Sequence, residues 1–301
     1  MIKRFHLTSL LFLFIFSQVP AQTTDSLRQK INQIITSKNA VVGVSIIGNN
    51  GKDTLSVNGE RHFPLQSVFK FHIALAVLSQ IDKGKFSFDE EIKIDKKDLL
   101  PNLYSPLRDE YPNGATLTIS KILEYTVSKS DNVGCDVLLR LIGGPKAVEE
   151  FFIKNNFENV SIKINEEVQQ NNWDLQFQNW TTPKAANEIL ASFYYNRKKL
   201  LSKKSYGFIW KLMKETETGE HRLRGSLPKE TIVAHKTGSS GTNKQGLTAA
   251  LNDIGIVFLP NGQHFFISVF VTESKENADT NEKIIADISK ETWNYFTAKT
   301  K

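Results

Sequence analysis

The chain of 301 residues predicts an α+β fold. A five-stranded antiparallel sheet is flanked by N- and C-terminal helices, and a second, all-α lobe is inserted within the sheet's sequence. Three observations carry this. Strand-like runs occur only toward the two ends, helical patterns fill the middle, and an amphipathic helix stands outside each set of strands. Strands and helices segregated in this way favour α+β over a wound parallel sheet. The sheet lobe is assigned to 22–60 and 217–301 and the helical lobe to 61–216. A site is expected in the cleft between them.

The elements follow in order. Residues 25–36 read as an amphipathic helix. Val41–Ile47 and Asp53–Val57 are apolar, β-branched runs separated by Gly48-Asn49-Asn50-Gly51, a hairpin signal. Phe63 to Gln66 leads into a helix beginning near Ser67. Phe71, Ala74, Leu75, Leu78 and Ile81 fall on one helical face, and Gly84 ends it. Pro101, Pro106 and Pro112 break the pattern, which predicts a loop over 98–116 carrying Tyr104. Thr118 caps a helix through Val127, and Gly143-Gly144-Pro145 separates two more helices. Asn165 to Thr181 is long, polar and aperiodic, a loop of the length that is usually functional. Thr182 and Ser202 cap two further helices. Strand patterns return at Thr231–Lys236, Leu247–Phe258 and His264–Thr272, and Asn277–Phe296 is a final amphipathic helix.

The first 21 residues stand apart. Lys3 and Arg4 precede an apolar run from Leu10 to Phe16, and Val19-Pro20-Ala21 reads as a cleavage site. The apolar run falls short of the ~18 residues of a membrane span, so export with cleavage after about Ala21 is expected, leaving no membrane anchor. Removing this leader takes away two cations and no acids. The balance of 38 Lys+Arg against 32 Asp+Glu becomes 36 against 32, a mild +4. The cations are scattered with no basic stripe, which argues against nucleic-acid binding. Cys135 is the single cysteine, so no internal disulfide exists. It lies in an apolar helical run and reads as a buried, inert thiol. The six histidines are scattered without zinc-ligand spacing, so neither metal nor cofactor is expected.

Chemistry begins at Ser67-Val68-Phe69-Lys70. A serine hydroxyl needs a base to become a nucleophile, and a lysine three residues later on a helix points the same way. Ser130-Asp131-Asn132 forms a short inter-helix loop that offers a proton-passing hydroxyl and a carboxamide. His235-Lys236-Thr237-Gly238 closes an apolar strand. Lys236 and Thr237 suit a carboxylate, and Ser239 offers a backbone N–H to an oxyanion. His235 reads as a positioning or packing residue; no other histidine is placed for a Ser-His-Asp triad. Glu166-Glu167 lies in the 165–181 loop, where a carboxylate can activate water. Arg222 sits in a turn from which it can reach a carboxylate.

Taken together and in order, S-x-x-K, S-D-N and K-T-G form a known catalytic set. The chain resembles the class A serine β-lactamases over essentially its whole mature length. Gln66 before the nucleophile, Gln178-Asn179-Trp180 and Ala234-His235-Lys236-Thr237-Gly238-Ser239 are similar to the PER-type and VEB-type branch, which is associated with extended-spectrum cephalosporin hydrolysis. The resemblance implies roles. Ser67 is the acylated nucleophile, Lys70 helps deprotonate it, Ser130 relays a proton to the leaving nitrogen, and Glu166 activates the deacylating water. Tyr104, Asn132, Gln170, Arg222, Lys236, Thr237 and Ser239 line the substrate site. Either Lys70 or Glu166 is the acylation base. The resemblance further implies a monomeric, periplasmic resistance enzyme acting on small β-lactams.

Two departures stand out. Gln170 occupies the place where the family usually has an Asn beside the water. The Arg–Asp pair that usually brackets the loop is replaced by Ile164 and Asn179. A penicillin-binding D-alanyl-D-alanine peptidase shares the motif trio but lacks a placed deacylating carboxylate. A non-catalytic β-lactam sensor needs a membrane-spanning signalling segment. With no metal-ligand spacing in the sequence, β-lactam hydrolysis is expected to survive EDTA. Loss of activity on chelation and its return with zinc would place the protein in another class of hydrolase.

Overall fold

The computed structural model describes residues 23–299; the leader expected over 1–21 lies outside them. Helix α1 (Thr24–Thr36) starts at Thr23, whose hydroxyl accepts from the Ser26 N–H. Strands β1 (Val41–Gly48) and β2 (Asp53–Val57) form the first hairpin. Strand β3 (Phe63–Pro64) leads through a 3-10 turn at Gln66–Val68 into α2 (Phe69–Asp82). Strand β4 (Glu91–Asp95), α3 (Pro106–Glu110) and β5 (Gly114–Thr118) follow. Next come α4 (Ile119–Ser128), α5 (Asn132–Ile142), α6 (Pro145–Asn155) and β6 (Val160–Ser161). Helix α7 (Glu166–Asn171), β7 (Trp180–Thr181), α8 (Pro183–Tyr194) and α9 (Lys203–Lys214) complete the middle. The chain closes with β8 (Val233–Ser239), β9 (Leu251–Phe258), β10 (His264–Thr272) and α10 (Ala278–Ala298).

The main sheet has the order β2-β1-β10-β9-β8, with every neighbouring pair antiparallel. It brings the early and late strands together, as the segregated pattern predicted. Its two faces are covered differently. Terminal helices α1 and α10 enclose one apolar cluster with Val44, Ile46, Val257, Phe265 and Ile267. The other face, through Ile254, Ile256, Phe266 and Phe270, joins the core of the helical region. The helical region therefore shares one core with one face of the sheet.

The structure corrects four expectations. The middle lobe is mainly helical but not all-α. It carries the β4–β5 ribbon and the short β3-β7-β6 sheet. The 98–116 segment, expected as loop, contains α3, which is capped by Ser105 and opened by Pro106, and ends in β5. The 165–181 segment is a short helix followed by a 3-10 turn at Trp173–Gln178, with N-caps Asn165 and Asn172. Helix α2, read as half-buried, is buried on all sides from Phe69 to Ser79. An all-round apolar helix is a core helix, and here it anchors the turn that carries Ser67 and Lys70.

Phe270 links the lobes: it is fully buried, and its ring centroid lies 5.7 Å from that of Phe63, just upstream of the nucleophile turn. Phe270→Ala is expected to destabilise the fold by about 3–5 kcal/mol, read as a lowered denaturant midpoint. A midpoint within error of the parent's would show that the shared core is not what joins the lobes.

Candidate active site

The site is built where α2, α5, α7 and β8 converge. Ser67 is half-buried in the 3-10 turn at the head of α2, and Lys70 is fully buried one turn later. The Lys70 ammonium donates to Ser67 Oγ at 2.6 Å and to Asn132 Oδ1 at 2.8 Å, and it is ion-paired with Glu166 Oε1. Its three N–H donors thus meet three acceptors from three different elements. Only Glu166 of the Glu-Glu pair does this; Glu166 is buried and Glu167 is exposed.

Ser130 sits in the turn between α4 and α5 with φ of +60°, a left-handed backbone that costs a non-glycine residue about 1–3 kcal/mol. Asp131 holds this turn. Its carboxylate accepts from the Gly134 N–H, the Leu107 N–H and the Ser105 hydroxyl, at 2.7, 2.7 and 2.8 Å. Burial pushes the Asp131 carboxyl up, opposed by these hydrogen bonds. The Asn132 N–H donates to the Tyr104 carbonyl at 3.0 Å, which docks the segment carrying the exposed Tyr104 ring beside the site.

On the opposite wall, β8 continues through Ser239, so His235 to Gly238 lie within the strand. Lys236 is fully buried and donates to Ser130 Oγ at 2.9 Å. Burial drives its ammonium well below the usual lysine range, with Lys70 adding to the effect. Thr237 shares a 2.6 Å hydroxyl contact with Thr218. Ser239 is exposed at the mouth. Gly238 is required by close approach. A Cβ there would lie 2.6 Å from the Leu65 carbonyl oxygen and 3.3 Å from Ser67 N. Arg222 is engaged behind this wall, with one terminal nitrogen on the Gly238 and Asn252 carbonyls at 3.1 Å each. The other donates to Ser239 Oγ at 2.7 Å, and Nε donates to Glu282 at 3.1 Å.

Ten of the eleven residues singled out from the sequence lie in this constellation. Gln170 is the exception: it is exposed and makes no side-chain hydrogen bond among the described residues. Its neighbour Gln169 turns inward, donating to Glu166 Oε2 at 3.4 Å and to Gln66 Oε1 at 2.9 Å. Cys135 is buried, with its thiol raised well above the usual range by burial, as an inert thiol should be. Among the described residues no group of three His, Cys, Asp or Glu stands together as a metal site.

A serine hydroxyl contacting a buried ammonium, a carboxylate on that same ammonium, and a second lysine contacting a second hydroxyl make an arrangement suited to acyl transfer. Residues 26–296 match the family model described as the Beta-lactamase enzyme family. The chain belongs to the class A β-lactamases. As a class A β-lactamase it hydrolyses the β-lactam amide bond. It is 57% identical to Beta-lactamase VEB-1 of Pseudomonas aeruginosa, across 97% of both chains. It is 40% identical to Extended-spectrum beta-lactamase PER-1 of the same organism, across 89% of this chain and 87% of that one. The crystal structure of TLA-1 extended spectrum β-lactamase superposes with a TM-score of 0.88 at 50% identity, covering 91% of this chain and 99% of that one.

Sequence reasoning missed Asp136 and gave Gln66 and Asn179 no structural role, yet all three shape this β-lactamase site. Asp136, an acid inside the apolar run of α5, accepts the N–H groups of Glu166 and Glu167 at 2.8 and 3.0 Å, and so caps α7 from below. Burial, with the nearby Glu166 charge, pushes its carboxyl up to about 7. Gln66, at φ +47°, passes a hydrogen bond to Gln176 at 2.6 Å. Asn179 is fully buried with all four of its hydrogen-bonding positions filled. Oδ1 accepts the Lys163 and Ile164 N–H groups at 2.8 and 3.1 Å, and Nδ2 donates to Ile164 O and Gln169 Oε1 at 3.0 and 3.4 Å. One carboxamide therefore closes the loop where an Arg–Asp pair was found missing from the sequence.

Asn179→Ala strips these partners, at about 1–3 kcal/mol for each buried group left unpaired. Faster hydrogen exchange over 163–179 and slower deacylation are expected, with acylation retained. Exchange at the parent rate would show that the loop is held elsewhere.

Proposed function

We propose that Ser67 is the acylated nucleophile and that its proton leaves through Lys70, whose Nζ is 2.6 Å from the hydroxyl and which passes one of its own protons to the ion-paired Glu166 as it takes the serine's. Attack on the β-lactam carbonyl forms the acyl bond and releases the ring nitrogen. Ser130, bridged to Lys236 at 2.9 Å, hands that nitrogen a proton and is reprotonated with the one Glu166 received, which leaves Glu166 ionised for deacylation. The backbone N–H groups of Ser67 and Ser239 receive the oxyanion. Asn132 binds the substrate's side-chain amide, and Tyr104 flanks it. Lys236, Thr237 and Ser239 hold the carboxylate, with Arg222 supporting Ser239 from behind.

The observation that carries the reading is the position of Glu166. It is buried against Lys70 at the head of α7, a carboxylate beside the nucleophile with its backbone held by Asp136. That is the base a water needs to attack the acyl ester, and it is what a D-alanyl-D-alanine peptidase lacks. We assign penicillins and cephalosporins as substrates on the family resemblance; the PER-1 and TLA-1 relatives are described as extended-spectrum β-lactamases. Export to the periplasm, cleavage after about Ala21 and a monomeric enzyme complete the proposal. The first two rest on the leader's composition; the monomer rests on the family resemblance. Among the described residues no helix is long and apolar enough to cross a membrane.

The decisive experiment compares four proteins by turnover and intact mass. The parent turns over nitrocefin many times per molecule. Ser67→Ala forms no adduct. Glu166→Ala acylates with a cephalosporin and stalls, since a general base contributes typically 10²–10⁴-fold, roughly. Glu167→Ala runs near the parent rate. Stalling in Glu167→Ala in place of Glu166→Ala reverses the assignment, and stalling in neither returns the peptidase reading.

A further inference from the structure

Behind the carboxylate-binding wall lies a buried His–Asp pair that the chemistry does not use. His235 on β8 and Asp253 on β9 are both fully buried, and His235 Nδ1 lies 2.9 Å from each carboxylate oxygen. Taking a carboxylate out of water costs several kcal/mol, roughly, unless it is well partnered. The sheet also makes room for the imidazole: a Cβ at Gly255, the register partner of His235, would lie 2.8 Å from His235 Cβ. Among the described residues His235 Nε2 has no hydrogen-bond partner, so the ring's polar contact is with Asp253 alone.

The position of Asp253 gives the pair a use. Asp253 is the register partner of Thr237. Its Oδ2 also accepts the N–H of Leu223 at 3.2 Å, the residue directly after Arg222. One carboxylate thus ties together the strand bearing Lys236 and Thr237 and the turn bearing Thr218 and Arg222. That turn is in contact with the strand, through the Thr218–Thr237 hydroxyl pair and the Arg222–Ser239 hydrogen bond. Lys236 faces Lys70 on α2, Glu166 on α7, Ser130 in the inter-helix turn, Arg222 in its own turn and Asp253 on β9. Burial, Lys70 and Arg222 disfavour its charge; Asp253 and Glu166 favour it.

We propose that the Asp253–His235 pair is a positioning device for the substrate carboxylate. It fixes Thr237 and Arg222 in one frame and backs the Lys236 ammonium with a buried negative charge. This rests on the carboxylate-binding role given above to Lys236 and Thr237.

The test uses Asp253→Asn, which keeps the shape and removes the charge, with a cephalosporin acid and its carboxylate methyl ester as paired substrates. KM for the acid is expected to rise by roughly two- to thirtyfold, the range for residues that act through others, with kcat little changed and the ester unaffected. Without the Asp253 anion the Lys236 ammonium is less favoured, so the alkaline limb of kcat/KM moves to lower pH. A lowered Tm with an unchanged acid-to-ester ratio and an unchanged limb overturns the inference, because a purely structural pair would behave so. His235→Asn is read the same way if Asp253→Asn does not fold. Lys236→Ala separates the layers. If it leaves the acid-to-ester ratio unchanged, the carboxylate assignment itself fails. If it collapses the ratio while the pair's variants do not alter it, only the positioning role fails.

Discussion

The buried ammonium of Lys70 is the constraint on which the structure depends. An ion with no exposure to water costs several kcal/mol, roughly, and recovers that only in good geometry with every proton accepted. Ser67 Oγ, Asn132 Oδ1 and Glu166 Oε1 supply the three acceptors. No single element can bring them together. Ser67 shares a helical turn with the lysine, Asn132 begins α5, and Glu166 begins α7. The helical lobe therefore has to deliver two further helix N-termini to one nitrogen. Each is held by a buried aspartate on its own backbone, Asp131 for α5 and Asp136 for α7.

Those two aspartates carry the tension of the arrangement. Burial pushes both carboxyls up, while the backbone N–H groups they accept favour the ionised form. Asp136 is pushed to about 7, above its unfolded value, so the folded protein binds more protons there. Its favourable contribution to stability is full below the unfolded carboxylate range and is lost as pH rises toward 7. Left-handed backbones at Gln66, just before Ser67, and at Ser130 itself add conformational cost at the same place. The all-round burial of α2 and the core shared with one face of the sheet are what such a site needs to hold its shape.

What the sequence made legible follows from how local each signal is. Helices with hydroxyl or amide caps and apolar periodicity, such as those begun by Thr118, Thr182, Ser202 and Asn277, stand within a residue or two of their expected starts. The three short motifs hold their residues at fixed spacings, and the fold brings them together. The β4–β5 ribbon was hidden because its strands are short and half-exposed, and β5 begins just after the proline-rich stretch. Helix α7 has six polar-rich residues and no apolar stripe, so its only mark is the Asn165 cap. The amide chain Gln66–Gln169–Gln176 was invisible for a different reason. Its links join residues 103 and 110 positions apart, and a glutamine carries no sign of which distant amide it will meet.

The edge of the sheet shows how one strand is capped along its first half and open toward the site. Edge strands present unpaired backbone groups that invite another chain, and β8 is an edge strand. Along its first half, side chains occupy the carbonyls. Arg224 donates to Val233 O at 3.4 Å and Thr216 to His235 O at 2.7 Å. Toward its end the partners are the site's own groups, with Lys236 on Thr237 O and Arg222 on Gly238 O. Gly238 lies against the nucleophile turn, so the open end of the strand and the head of α2 form one surface. A small molecule can reach that end beside Ser67, while a second strand would first have to displace the side chains upstream. Edge capping and access to the site are thus separated along a single seven-residue strand by where its carbonyls find donors.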